Sequence, residues 1–261
     1  MGGGPIKKEA LYLIPGFHAV RDCLTQGRMK IHELWIAQAK KSARRDEILG
    51  IAKDLHVPVY FKTRGELSGI LPDTSHQGIV ALAEEFIYSD LYNLIDISTK
   101  SRGKGPALLI AADHITDEGN LGSLIRTAAF FGSHGLIIPR DRSAGVTPKV
   151  LKRSSGAVMY LPVARIVNLG RTLDLLRKKE FWIIGAAGES SESIYQFDWT
   201  RDLVLVLGNE QKGLSPAIRK RCHQIVGIPS PGRGESLNVS VAAGVILSEI
   251  VRQRNEGDES T

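Results

Sequence analysis

The sequence predicts an α/β protein made of two successive sheet-and-helix units. Three observations carry this. Short apolar runs alternate with segments of helical spacing along most of the chain, the pattern of strands joined by crossover helices. Several runs, Leu108-Leu109-Ile110-Ala111 among them, are apolar without alternation, as parallel strands covered on both faces must be. Between residues 84 and 105 the rhythm gives way to a polar stretch punctuated by Gly and Pro, which reads as a linker. At 261 residues the chain is long enough for each unit to bury its own core.

Residues 1–10 read as a disordered leader. Met-Gly-Gly-Gly-Pro-Ile-Lys-Lys lacks the apolar core of a signal peptide, and Ile6 stands where myristoylation needs Ser or Thr. In the first unit, 11–83, the spacing predicts helices over 19–26 and 44–55 and strands over 33–37, 57–61 and 79–83. Leu91 to Ile97 forms a helix inside the linker, packed on one unit. In the second unit, 106–255, strands are expected at 107–112, 135–138, 160–163, 181–186, 203–207 and 225–228. Helices are expected at 120–131, 147–154, 170–179, 215–221 and 238–254, and an acidic tail follows at 256–261.

Composition narrows the function. Hydrophobic residues are 43% and charged residues 24%, ordinary for a globular chain, and no apolar run approaches the ~20 residues that span a bilayer. Cys23 and Cys222 stand alone and the seven histidines are scattered, so reduced thiols, a cytoplasmic location and no metal site are expected. The net charge of +6 divides evenly between 1–105 and 106–261. Basic runs at Lys40-Lys41 with Arg44-Arg45, and at Lys149 with Lys152-Arg153, favour a phosphate-bearing partner.

Common nucleotide signatures are misspelled. Gly208-Asn-Glu-Gln-Lys-Gly213 opens like a phosphate loop, but Leu214 occupies the place of the phosphate-binding Lys. No strand leads into Gly-x-Gly-x-x-Gly with an acid roughly 20 positions on, so a dinucleotide fold is unsupported. Three other segments hold polar residues inside turns that follow apolar strands. These are Asp-Glu-Gly-Asn-Leu-Gly-Ser-Leu-Ile-Arg-Thr-Ala (117–128), Leu-Val-Leu-Gly-Asn-Glu-Gln-Lys-Gly-Leu-Ser (205–215) and Ile-Pro-Ser-Pro-Gly-Arg-Gly-Glu-Ser-Leu-Asn-Val-Ser-Val-Ala (228–242). Gly208 and Gly213 let backbone approach a ligand closely. Ser236 and Asn238 suit either hydrogen bonding to a ligand or capping of the last helix.

In wording and order these segments resemble the three motifs of the SpoU/TrmH group of SPOUT RNA methyltransferases. Gly16-x-His18-Ala19-Val20 and His76-Gln77-Gly78-Ile79-Val80-Ala81 resemble the substrate-binding domain that precedes the catalytic one in many members. The resemblance implies a parallel-sheet domain with a deep trefoil knot and methyl transfer from S-adenosylmethionine to an RNA ribose 2′-hydroxyl. It assigns Asn120, Arg126, Glu210, Ser236 and Asn238 to catalysis and Gly185, Ala186, Gly208, Ile228 and Leu237 to the cofactor. It further implies a homodimer and, through Asp141 to Gly145 and Val167 to Leu173, a guanosine of 23S rRNA as target. A tRNA guanosine enzyme and a non-catalytic rRNA-binding protein of the same fold are the alternatives. In two places the wording departs from the family: Ser230-Pro231, and Gly234-Glu235 ahead of Ser236.

Overall fold

The computed structural model describes residues 11–38, 42–72, 75–100, 105–232 and 236–258. The leader 1–10, Lys40, Lys41 and the Gly234-Glu235 departure lie outside the described residues. The chain forms two compact units, Met1–Ile87 with Val146–Met159, and Tyr88–Gly145 with Tyr160–Thr261.

The first unit runs β1 (Tyr12–Pro15), α1 (Phe17–Gln26), β2 (Ile31–Ala37), α2 (Ala43–Asp54), β3 (Val59–Lys62), α3 (Arg64–Ile70) and β4 (Ile79–Ala83). The sheet order is β1-β4-β2-β3. β2 and β3 are parallel, joined through α2, with Trp35 opposite Tyr60, and the other pairs are antiparallel. Its core is Ile14, Val20, Leu34, Ile36, Ile48, Leu67 and Val80, all at most 1% exposed. β1 and α3 are additions to the expected elements. α3 starts on a reciprocal capping box between Thr63 and Glu66, which satisfies two otherwise orphaned backbone donors. Val146–Met159, containing α6 (Pro148–Arg153), belongs with this unit, with Val150 and Leu151 buried.

The second unit contains α4 (Leu91–Lys100), β5 (Leu108–Ala112), α5 (Glu118–Phe130), β6 (Gly135–Pro139), β7 (Val163–Ile166) and α7 (Leu169–Lys178). It continues through β8 (Trp182–Ala186), β9 (Leu203–Leu207), α8 (Pro216–Arg219), β10 (Gln224–Val226) and α9 (Val239–Asp258). Its six strands lie in the order β10-β8-β9-β5-β6-β7, every pair parallel. Every residue of β5, β6 and β9 is buried, as their unbroken apolar spelling requires. The strand expected at 160–163 begins instead at Val163, because 157–159 is a 3₁₀ turn and Pro162 has no N–H to pair. The apolar stripe of α9 is largely consumed inside the chain: Val239, Ala243, Ile246, Leu247 and Ile250 are buried. Near its end, Arg254 donates to the carbonyls of Pro106, Ala107, Trp199 and Arg201, tying the helix to the start of the sheet.

Candidate active site

From β5 the chain builds outward to β6 and β7, then returns on the other side to place β9 against β5. The reversal lies between β5 and β9, and open parallel sheets offer a crevice at the carboxyl ends of the strands there. The turns after β5, β8, β9 and β10 at those ends carry, or lead into, nearly all the residues singled out from the sequence.

After β5, Asp113 is 1% exposed, accepts from the Ser215 amide at 2.7 Å and lies 2.6 Å from His114 Nδ1. His114 holds the left-handed conformation at φ 60°, uncommon for a non-glycine residue. Asp117 then caps α5 by accepting from the Asn120 amide at 2.8 Å. At the start of α9, Asn238 Oδ1 accepts from the amide and hydroxyl of Ser240, and its Nδ2 donates to Asn120 Oδ1 at 2.9 Å. Asn238 is therefore both helix cap and cross-link. One turn or more further along, Gly244 faces the Thr127 methyl, so α5 and α9 run side by side in the same direction with their N-termini together. Both dipoles point their positive ends at this crevice.

Arg126 projects from α5 into solvent, while Leu124, Ile125 and Ala128 around it are buried. Its guanidinium has no hydrogen bond or ion pair with a described residue, Glu210 included. A planar fork of donors is thus available to an incoming anion.

The turn after β9 is closed by its own backbone. Asn209 and Gly213 exchange hydrogen bonds of 3.1 and 2.8 Å, and Gly213 sits at φ 62°. Gly208 lies so close to the Gly213 carbonyl and the Leu214 amide that any side chain would overlap them. The Asn209 side chain accepts from Gln211 and Lys212 and donates to the His114 carbonyl at 3.1 Å. Both ends of the turn are consequently tied to the residues after β5, through Asn209 and through Ser215. Glu210 is half-buried, and its Oε1 is buried without a hydrogen-bond partner. An unmet acceptor of this kind costs about 1–3 kcal/mol, so a ligand donor there is expected.

Gly185 at the end of β8 is buried beneath Leu214, Ile225 and Cys222, which makes it part of the wall behind the crevice. Ala186 next to it is half-buried. Burial, helped by the Asp113 carboxylate, pushes the Cys222 thiol up to about 11, so it carries no thiolate at neutral pH. Ile228 is half-buried, Ser236 is exposed and Leu237 is 48% exposed. None of these three has a hydrogen bond to a described residue. Open backbone groups, an apolar side chain left uncovered, an unmet carboxylate oxygen and paired helix N-termini together fit the adenine and amino-acid ends of S-adenosylmethionine.

Asp113 and His114 are residues that the sequence reading missed, their only signal being position just after the end of a fully buried strand. Asn209 stood within the 205–215 segment but was assigned no role. Among the described residues, no three of His, Cys, Asp and Glu converge as a metal would need, and no helix is long and apolar enough to cross a membrane.

Comparison with known proteins agrees with this geometry. The SpoU rRNA Methylase family matches residues 107–248, and the family described as RNA 2′-O ribose methyltransferase substrate binding matches residues 13–89. The chain is 40% identical over 241 residues to the 23S rRNA (guanosine-2′-O-)-methyltransferase RlmB of Coxiella burnetii, covering 92% of this chain and 95% of that protein. It is 36% identical over 244 residues to the RlmB protein of Pseudomonas putida, covering 92% and 96%. Among solved structures, the SpoU methyltransferase AviRb from Streptomyces viridochromogenes in complex with AdoMet superposes with a TM-score of 0.80 at 27% identity, over 96% of this chain and 93% of that one.

Proposed function

We propose that this chain, which belongs to the SpoU rRNA methylase family and is an RNA 2′-O-methyltransferase, methylates a guanosine ribose of 23S rRNA with S-adenosylmethionine as donor. The observation that carries this reading is the Asn120–Asn238 hydrogen bond, which joins two motifs 118 residues apart beside Arg126, unpaired among the described residues. S-adenosylmethionine would supply a sulfonium-activated methyl; as the ribose 2′-oxygen takes it, the thioether sulfur would keep the C–S electron pair and the hydroxyl proton would pass to water.

The chain's own residues align and polarise. Backbone groups of Ile228 and Leu237 meet the adenine edge, and their side chains cover its faces. Gly208 and Ala186 line the floor, with Gly185 behind them, inside the trefoil knot that the family fold implies. Ser236 and Glu210 hold the polar end of the donor or the RNA sugar. Arg126 grips the substrate phosphate and stabilises charge developing on the 2′-oxygen. A guanidinium with a pKa above about 12 is a poor proton acceptor, so its task is electrostatic. Residues 11–83 add RNA affinity, and 106–255 carry the transfer.

The working form in the cytoplasm is a homodimer without a metal. With most of the α9 stripe buried, the large apolar side chains left exposed on the paired helices among the described residues are Phe130, 81% exposed, and Val241, 51% exposed. A monomer by light scattering at micromolar concentration removes the dimer from this reading. The activity test is incubation of the purified chain with radiolabelled S-adenosylmethionine and protein-free 23S rRNA, followed by mapping of the modified ribose. One guanosine is the expected target. Transfer to tRNA instead overturns the substrate, and donor binding without transfer to either RNA leaves a non-catalytic RNA-binding protein.

A further inference from the structure

We propose that a cleft in the first unit, lined by Arg44, Arg64, Ser68, Ser75, His76 and Gln77, captures one unpaired nucleotide of the RNA by its phosphate. The proposal rests on the RNA reading above and adds a second contact site with its own residues and ligand geometry. The cleft is shallow and open to solvent, and lies where the parallel strands β2 and β3 end and α2 and α3 begin.

Its charges break a local rule. Arg44 is the second residue of α2 and Arg64 the first of α3, and cations in a first helical turn oppose the helix dipole. Neither has an ion pair among the described residues. Arg44 is steadied instead by the Phe17 ring, 5.5 Å from its guanidinium carbon to the ring centroid. An arrangement that is unfavourable when empty becomes favourable once an anion sits between two cations and the α2 N-terminus.

A third donor is aimed by a buried relay. His76 is 7% exposed, and its Nδ1 accepts from the Gly78 amide at 3.0 Å. The ring proton therefore stands on Nε2, which donates to Ser68 Oγ at 3.1 Å. With its lone pair engaged, the Ser68 hydroxyl keeps its own hydrogen for a ligand. Gln77, held at φ 51° and exposed, presents an amide at the same rim.

Single-stranded RNA can splay its bases and turn one phosphate toward such a cleft, whereas a duplex holds its phosphates in a fixed helical array that two arginines at one point meet less well.

The test measures anisotropy of a fluorescein-labelled 15-nucleotide oligouridylate, and of a duplex of equal length, with the full chain, with the double variant Arg44→Ala/Arg64→Ala, and with Lys53→Ala at the other end of α2. The wild type is expected to prefer the single strand. The double variant should lose about tenfold or more in single-strand affinity, and its log–log salt slope should fall by about 0.7, one single-strand phosphate contact. Lys53→Ala should be unchanged, S-adenosylmethionine affinity by calorimetry should be unchanged in all three, and Ser68→Ala should lose about threefold. Equal losses in Lys53→Ala, no loss in the double variant, or equal duplex affinity each overturn the cleft. If the double variant loses oligonucleotide binding but the wild type transfers no methyl to any RNA, the cleft stands and the enzymatic reading falls.

Discussion

Each unit gathers its ligand-facing residues at the carboxyl ends of parallel strands, yet the two use different chemistry there. In the second unit the wall is backbone: the Asn209–Gly213 hydrogen bonds, the close approach at Gly208, and a buried Asp113 holding the Ser215 amide. In the first unit the wall is side chain, with Arg44 and Arg64 at helix starts and Ser68 aimed by His76. A backbone wall recognises shape and hydrogen-bonding edges, and salt affects it little. A wall of arginines recognises phosphate and weakens steeply with salt. The contrast matches a small cofactor with one unit and a long polyanion with the other.

A large effect is expected from breaking the backbone wall alone. Gly208→Val drives a branched side chain into the Gly213 carbonyl and the Leu214 amide, neither of which can rotate away. Overpacking against fixed atoms costs about 3 kcal/mol, or roughly a hundredfold in cofactor affinity. Calorimetry with S-adenosylmethionine should show that loss while oligonucleotide affinity stays within a few-fold. Parallel loss of both would mean that the two ends are not independent.

Arg126→Ala should act next, and on turnover. Its guanidinium makes no hydrogen bond or ion pair with a described residue, so removal leaves the cofactor wall intact. Loss of a cation aimed at a developing oxyanion is worth about 2.7–4 kcal/mol, a hundred- to a thousand-fold in transfer rate. Arg126→Lys should recover little, because a point charge lacks the planar fork. Retention of more than about a tenth of wild-type turnover at saturating substrates would make Arg126 a structural residue.

How much of this could be read from the sequence follows from how local each cause is. β5 and β9 were legible to within a residue because a continuous apolar run bounded by polar turns has few other uses. α3 was not: Gly65 and Gly69 mask a Thr63–Glu66 capping box that was present in the spelling. Asn120 and Asn238 were legible only through their motif wording, since nothing near either in sequence signals a bond across 118 residues. Asp113 acts through a partner 102 residues away and carried no wording of its own, and Asn209, spelled within the 205–215 segment, gave no sign of its bond to His114 95 residues away. The apolar positions of α9 are spelled in the sequence, but amphipathic spacing states that a face is covered and never by what.

A smaller effect is expected from Asp113→Ala. The substitution leaves the buried Ser215 amide without an acceptor and frees His114, loosening the turn after β9 at one of its two ties. One unmet donor costs about 1–3 kcal/mol, which for a domain of this size lowers Tm by about 2–12 °C. Asp113→Asn keeps one acceptor and should lose about half as much. Calorimetric melting checks both, and an unchanged Tm in the alanine variant would show that the Asn209 tie alone sets the turn.

The smallest effect compares one thiol from each unit. Burial pushes Cys23 in the first unit up to about 12, with the Asp22 carboxylate adding to it. Cys222 in the second rises to about 11. Both start from 9.0, so the folded state favours the neutral thiols: their contribution to stability is complete below pH 9 and is lost as pH rises toward 11 for Cys222 and 12 for Cys23. At pH 7.5 neither should react appreciably with iodoacetamide in an hour, the thiolate being the nucleophile. Cys222, half-buried against Gly185 behind the cofactor crevice, should react first as pH is raised, and saturating S-adenosylmethionine should slow it without changing Cys23. Mass spectrometry of the alkylated peptides reads both sites in one experiment. Equal protection of the two thiols by the cofactor would show that its binding tightens the whole chain, and that the crevice walls are less local than their hydrogen bonds imply.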